Sequence, residues 1–124
     1  MENQTLYKTA NYWKRQYYFI YWIWLFNVIV FLGLVMNFVA IANNAGKMPV
    51  ANTSIPSQDY DTHFSFSDPD EIEYYILSDK YRIKGYVYSI GDIFLTVGLL
   101  GMFILSILKY RFERRFKKYG TLLP

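Results

Sequence analysis

Residues 85–108, GYVYSIGDIFLTVGLLGMFILSIL, form an apolar run of 24 residues that holds a single charge, Asp92. A second run, residues 17–42, YYFIYWIWLFNVIVFLGLVMNFVAIA, has 26 residues and no charge. Roughly 20 apolar residues in a helix cross the ~30 Å hydrocarbon core of a bilayer. Both runs predict transmembrane helices, and the fold class they define is an all-α membrane protein, a two-helix transmembrane hairpin with an ordered extracytoplasmic loop. The expected order is a tail at 1–16, helix at 17–42, connection at 43–84, helix at 85–108 and basic tail at 109–124.

Charge sets the expected orientation. The tails carry nine basic residues, Lys8, Lys14, Arg15, Lys109, Arg111, Arg114, Arg115, Lys117 and Lys118, against four in the connection, Lys47, Lys80, Arg82 and Lys84. The excess of Lys and Arg on cytoplasmic segments then puts both termini in the cytoplasm and the connection outside. Of the 124 residues, 13 are Tyr and 10 Phe. Tyr12, Trp13, Tyr17, Tyr18, Tyr21, Trp22 and Trp24 gather at one end of the first run, and Tyr81, Tyr86 and Tyr88 at the start of the second, as rings do at a membrane–water interface. Ala40-Ile41-Ala42 has the look of a signal cleavage site, but the apolar stretch before it is far longer than a signal h-region. With no Cys in the chain, disulfides, thiolate catalysis and thiolate metal sites are excluded. The C-terminal tail places Phe112, Phe116 and Tyr119 on one helical face and Arg111, Arg114, Arg115 and Lys118 on the others, which suits anionic lipid headgroups. Beside a membrane span these charges need no nucleic acid.

In the connection, residues 43–60 read as irregular. A short helix is expected at about 69–79, capped by Asp68, with Pro69 in its first position, Glu71 completing a capping pattern, and Ile72, Tyr75 and Ile76 as its apolar stripe. Asp59, Asp61, His63 and Asp70 occupy calcium-loop positions, but Phe64 stands where that loop needs Gly, so no metal site is expected. Asn52-Thr53-Ser54 is a formal glycosylation sequon. No cofactor motif and no nucleophile–base set is present, so no catalytic residue is assigned.

An acid at membrane depth costs at least ~2.5 kcal/mol on insertion scales and needs a compensating contact. Ser89, Asp92, Thr96, Leu99, Phe103 and Ser106 fall on one stripe of the second helix, with Gly91, Gly98 and Gly101 beside it. The first helix offers Gly33, Asn27 and Asn37. For antiparallel spans Asn37 comes level with Ile90, so Asn37 is expected to face Asp92, with Lys47 or Lys84 able to reach down to it. Small residues let helices approach and polar side chains bond across the contact. Packing is the favoured role for this polar set, a ligand, ion or proton site the second, and a subunit contact the third.

The stretch Gly33-Leu-Val-Met-Asn-Phe-Val-Ala-Ile-Ala-Asn-Asn-Ala-Gly-Lys-Met-Pro-Val50 resembles a signature of a family of bacterial integral membrane proteins of unknown function. That family carries Asn-Phe near a helix end, then Asn-Gly-Gly-Lys/Arg-Met-Pro-Val, then an Asp ahead of a helix opening Ser-Ile-Gly-Asp. The matching positions here are Asn37, Phe38, Asn44, Gly46, Lys47, Met48, Pro49, Val50, Asp79, Ser89, Ile90, Gly91 and Asp92, and Ala45 departs from the first Gly of the pair. The resemblance implies a bacterial plasma membrane protein matching the C-terminal half of larger members, and it implies no activity. The function expected is a non-enzymatic accessory or structural subunit that contacts the lipid bilayer and other membrane subunits or itself. Alternatives are an oligomeric transporter or channel element with Asp92 on an ion or proton path, and an enzyme on lipid-linked substrates using Asp92 and Asp79.

Overall fold

The computed structural model describes residues 2–51, 62–66 and 68–120, with side chains described between residues 10 and 117 of those stretches. Two long helices dominate: α1, Glu2–Asn43, and α2, Ile90–Gly120. Ala10–Asn43 and Ile90–Lys117 are long and apolar enough to cross a membrane, and in each only 11% of the most apolar window is buried within the chain. A core helix of a soluble domain would bury most of that face.

The fold is mostly helical rather than all-α, because the connection contains strands. β1, Met48–Ala51, pairs in parallel with β2, His63–Phe66, Met48 opposite His63 and Ala51 opposite Phe66. On the other side of β1, Asp79 forms a parallel bridge with Val50. The third and fourth strands, β3 (Tyr81–Ile83) and β4 (Tyr86–Tyr88), form an antiparallel hairpin. Its two-residue turn, Lys84 and Gly85, has φ of 50° and 87°, the positive pair that matches the twist of the flanking strands. So the second apolar run is not helical from Gly85. Its first residues are hairpin, and α2 begins at Ile90.

The expected helix at 69–79 is also replaced, by two single 3-10 turns, Pro69–Glu71 and Tyr75–Leu77. The Asp68 carboxylate does accept from the Asp70 N–H at 3.0 Å, but Ile72 turns extended and is buried. Tyr74 has φ 54° and ψ 49°, a left-handed conformation in which a right-handed helix cannot continue.

The chain divides into two compact units. In one, Ile29–Val97, the core is small and lies in the connection: Met48, Pro49, Phe66 and Ile72 are buried, with Ala40 on α1. The other, Met1–Val28 with Gly98–Pro124, joins the helices by rings. Tyr12 stacks on Phe112 at 5.8 Å between centroids and meets Phe116 at 4.3 Å. Phe19 also meets Phe112 at 5.8 Å, and the Arg15 guanidinium lies 5.4 Å over the Phe112 ring. Those tail rings pack on α1, while Arg111, Arg114 and Arg115 stay exposed.

Candidate functional site: a carboxylate clamp beneath a strand cap

Helix α2 starts with its own fastening. Ser89 is the N-cap, and its Oγ accepts from the Asp92 N–H at 3.0 Å. The Asp92 Oδ2 accepts from the Ser89 N–H at 3.1 Å. This reciprocal pair is a capping box, which satisfies two main-chain donors that a helix start leaves unpaired. It also puts the carboxylate at the positive end of the helix dipole.

The same two side chains grip α1. Asn37 donates from Nδ2 to Asp92 Oδ1 at 2.7 Å, and its Oδ1 accepts from the Ser89 hydroxyl at 2.9 Å. The four bonds close a ring in which each carboxylate oxygen has a partner. The helices can come this close because Gly33 faces Gly91. A Cβ on Gly33 would lie 2.7 Å from the Gly91 carbonyl, and one on Gly91 would collide with the Asn37 amide and lie 2.8 Å from the Gly33 carbonyl. Asn37, Ser89, Gly91 and Asp92 thus come together.

The remaining polar residues of the two runs stay outside this ring. Thr96 is exposed. Asn27 bonds back to the Ile23 carbonyl at 2.8 Å, and Ser106 to that of Met102 at 2.8 Å, each within its own helix. Ion pairs join His63 to Asp79 and Lys109 to Glu113, and the partners of Asp92 are Asn37 and Ser89 rather than Lys47 or Lys84.

The loop motif ends α1 and opens the small sheet. At the end of α1 the Gly46 N–H reaches back to the Ile41 carbonyl at 3.0 Å. Ala45 precedes it with φ 54° and Gly46 follows with φ 77°. This is a Schellman-type stop, in which the position held by Ala45 favours Gly. Asn44 is buried and donates to the Ala40 carbonyl at 2.7 Å and the Glu73 carbonyl at 2.9 Å, tying the helix end to the 3-10 segment. Lys47 is half-buried, and Met48 and Pro49 are buried in β1.

Asp79 lies on the far side of β1. The residue is 5% exposed, its Oδ2 is 3.6 Å from His63 Nε2, and its buried Oδ1 has no hydrogen-bond partner. Burial, and after it the negative charge of Asp92, push this carboxyl up from 3.8 to about 7. His63 is the residue whose role the sequence did not suggest, since its contact with Asp79 depends on strand pairing. The Ser89–Asp92 capping box did have a local signal, Ser-x-x-Asp before an apolar run. Asp59, Asp61 and the sequon at 52–54 lie outside the described residues, as do the side chains of Lys118 and Tyr119.

Fold and site together define a class: a mostly helical protein with two long apolar helices and a strand-bearing connection, in which a Ser–Asn–Asp ring holds α2 to α1. Residues 3–105 match a family of unknown function, DUF5317, and the chain belongs to it. No curated protein and no solved structure matches the chain.

Proposed function

We propose that the chain is an integral protein of a bacterial plasma membrane that crosses the bilayer twice as a hairpin, with both termini cytoplasmic, and acts as a non-enzymatic accessory or structural subunit of a larger membrane assembly. The observation that carries this reading is the state of Asp92. Both of its oxygens are taken by Asn37 and Ser89, so the costly acid serves the protein's own packing. An ion or proton path needs a carboxylate that can exchange partners. An enzyme using Asp79 and Asp92 needs them open to substrate, and Asp79 is 5% exposed.

Other observations agree. Broad apolar surface remains on both helices, with Trp13, Tyr17, Trp24, Phe31, Phe38 and Phe103 each more than 60% exposed, a surface that suits lipid and neighbouring helices alike. The exposed Arg111, Arg114 and Arg115 of the basic tail suit anionic headgroups on the cytoplasmic face, and Ser89, Gly91 and Asp92 supply the contact between the helices. Purification from native membrane in mild detergent, followed by native mass spectrometry, tests the proposal. The expected result is a complex of fixed stoichiometry with another membrane protein or with further copies. A monomer with no stoichiometric companion overturns it.

A further inference from the structure

Asp79 does two things at once. Its main chain extends the small sheet, donating to the Pro49 carbonyl at 2.9 Å and accepting from the Ala51 N–H at 3.0 Å. Its side chain places a titratable group in the buried layer beside this bridge, with one oxygen unpartnered. The His63 ring stands on β2, across β1, with Nε2 3.6 Å from Asp79 Oδ2. Its other nitrogen, Nδ1, is taken by the Thr62 hydroxyl at 2.8 Å, so Nε2 is the nitrogen turned toward the acid. With one proton the couple is either a neutral acid beside a neutral ring or an ion pair, and in both forms its net charge is zero. With no proton it is a buried anion without a full set of partners, which is the costly state.

We propose that Asp79 and His63 form a proton-binding site that latches the connection, with β1 held to residue 79 while the couple keeps a proton and released when that last proton leaves. The groups around it set the direction. Asp92 at the start of α2 adds its negative charge to the burial that disfavours ionised Asp79. Among the described residues, the charged groups on the neighbouring elements are Lys47 before β1, Asp70, Glu71 and Glu73 on the 3-10 segment, Lys80 next in the chain, and Arg82 and Lys84 on the β3–β4 hairpin. The Lys80 ammonium is occupied over the Tyr75 ring at 4.5 Å. Because the carboxyl is raised in the folded chain, its contribution to the latch is complete in acid and is lost as pH rises through about 7.

Amide hydrogen exchange on the full chain in bilayer discs tests this at the two bonds that make the bridge, the N–H groups of Ala51 and Asp79. After correction for intrinsic exchange, protection at both should fall on the order of tenfold between about pH 6 and pH 8 in the native chain. It should stay level in Asp79→Asn, which removes the raised carboxyl and leaves His63 as an exposed-edge ring with no acid to neutralise. Protection that stays level in the native chain, or that falls equally in Asp79→Asn, overturns the proposal. Should Asp79→Asn not fold, NMR titration of isotope-labelled aspartate carboxyls in the native chain decides. One carboxyl titrating near neutrality supports the latch, and all of them titrating in the ordinary carboxylate range refutes it.

Discussion

Replacing Asp92 by Ala should loosen the Ile29–Val97 unit by about 3 kcal/mol, a figure built from the bonds it makes. The carboxylate accepts from Asn37 Nδ2 at 2.7 Å and from the Ser89 N–H at 3.1 Å. Hydrogen bonds to a charged group contribute about 1.5–3 kcal/mol each, and a donor left buried without a partner costs a similar amount. Polar contacts between helices in membranes measure lower, ~0.6 kcal/mol on average, because the separated helices find other partners. Taking the lower value for the Asn37 bond and the higher one for the cap, with ~0.5 kcal/mol from the helix dipole, gives the net figure. On the proposed membrane placement, the expense of holding an acid near the bilayer largely cancels, since the separated helices stay inserted. Asp92→Asn keeps one acceptor and turns an N–H toward the other donor, so it should lose about half as much. Detergent-titrated unfolding or steric trapping of Asp92→Ala, Asn37→Ala and the double variant measures each loss and the coupling between the residues. Unfolding energies within about 0.5 kcal/mol of the native chain for Asp92→Ala, or a strictly additive double variant, would refute the clamp.

Four other substitutions probe the rest of the fold. Ala45→Gly should stabilise the chain by about 1 kcal/mol in the same unfolding assay, because Ala45 holds a left-handed φ of 54° that Gly adopts without penalty. Gly91→Ala should cost about 1–3 kcal/mol and abolish the Asn37–Asp92 coupling, since its Cβ would collide with the Asn37 amide. Phe112→Ala should destabilise the Met1–Val28 and Gly98–Pro124 unit by about 3 kcal/mol, as it removes the ring that Tyr12 and Phe19 pack on. For pH, the Asp79 carboxyl is raised from 3.8 to about 7 in the folded chain, so unfolding free energy should decline as pH climbs between those values and level off above. Asp79→Asn should flatten that slope, as read from unfolding midpoints across the range.

The two apolar runs made the long helices legible, because about 20 apolar residues in a row have few other uses. Where α2 starts was harder to see. Tyr86-Val-Tyr88 is as apolar as the helix behind it and extends the run without a break. Yet aromatic and β-branched residues on both sides of Lys84-Gly85 were a hairpin signal, and Ser89-Ile-Gly-Asp92 marked the cap. A helix drawn from Gly85 puts Ser89 and Asp92 in successive turns of one helix, which hid Ser89 as the cap. The 69–79 segment misled in the opposite way. Asp68 and Pro69 start a turn as their chemistry favours, but burial of Ile72 and the left-handed Tyr74 end it within three residues. The pairing of β1 with β2 and with Asp79 had no local signal, since parallel partners meet through the fold. That pairing alone brings His63 to Asp79, so this part of the site was invisible along the chain.

On the proposed reading, Asp92 fastens α2 to α1 and lies on no ion path. Proton and cation flux into sealed vesicles containing the purified chain, measured for the native protein and Asp92→Asn alongside its unfolding energy, tests it most directly. Flux should equal that of protein-free vesicles in both, with Asp92→Asn less stable than the native chain. Flux through the native protein that Asp92→Asn abolishes while stability and assembly are unchanged would contradict it.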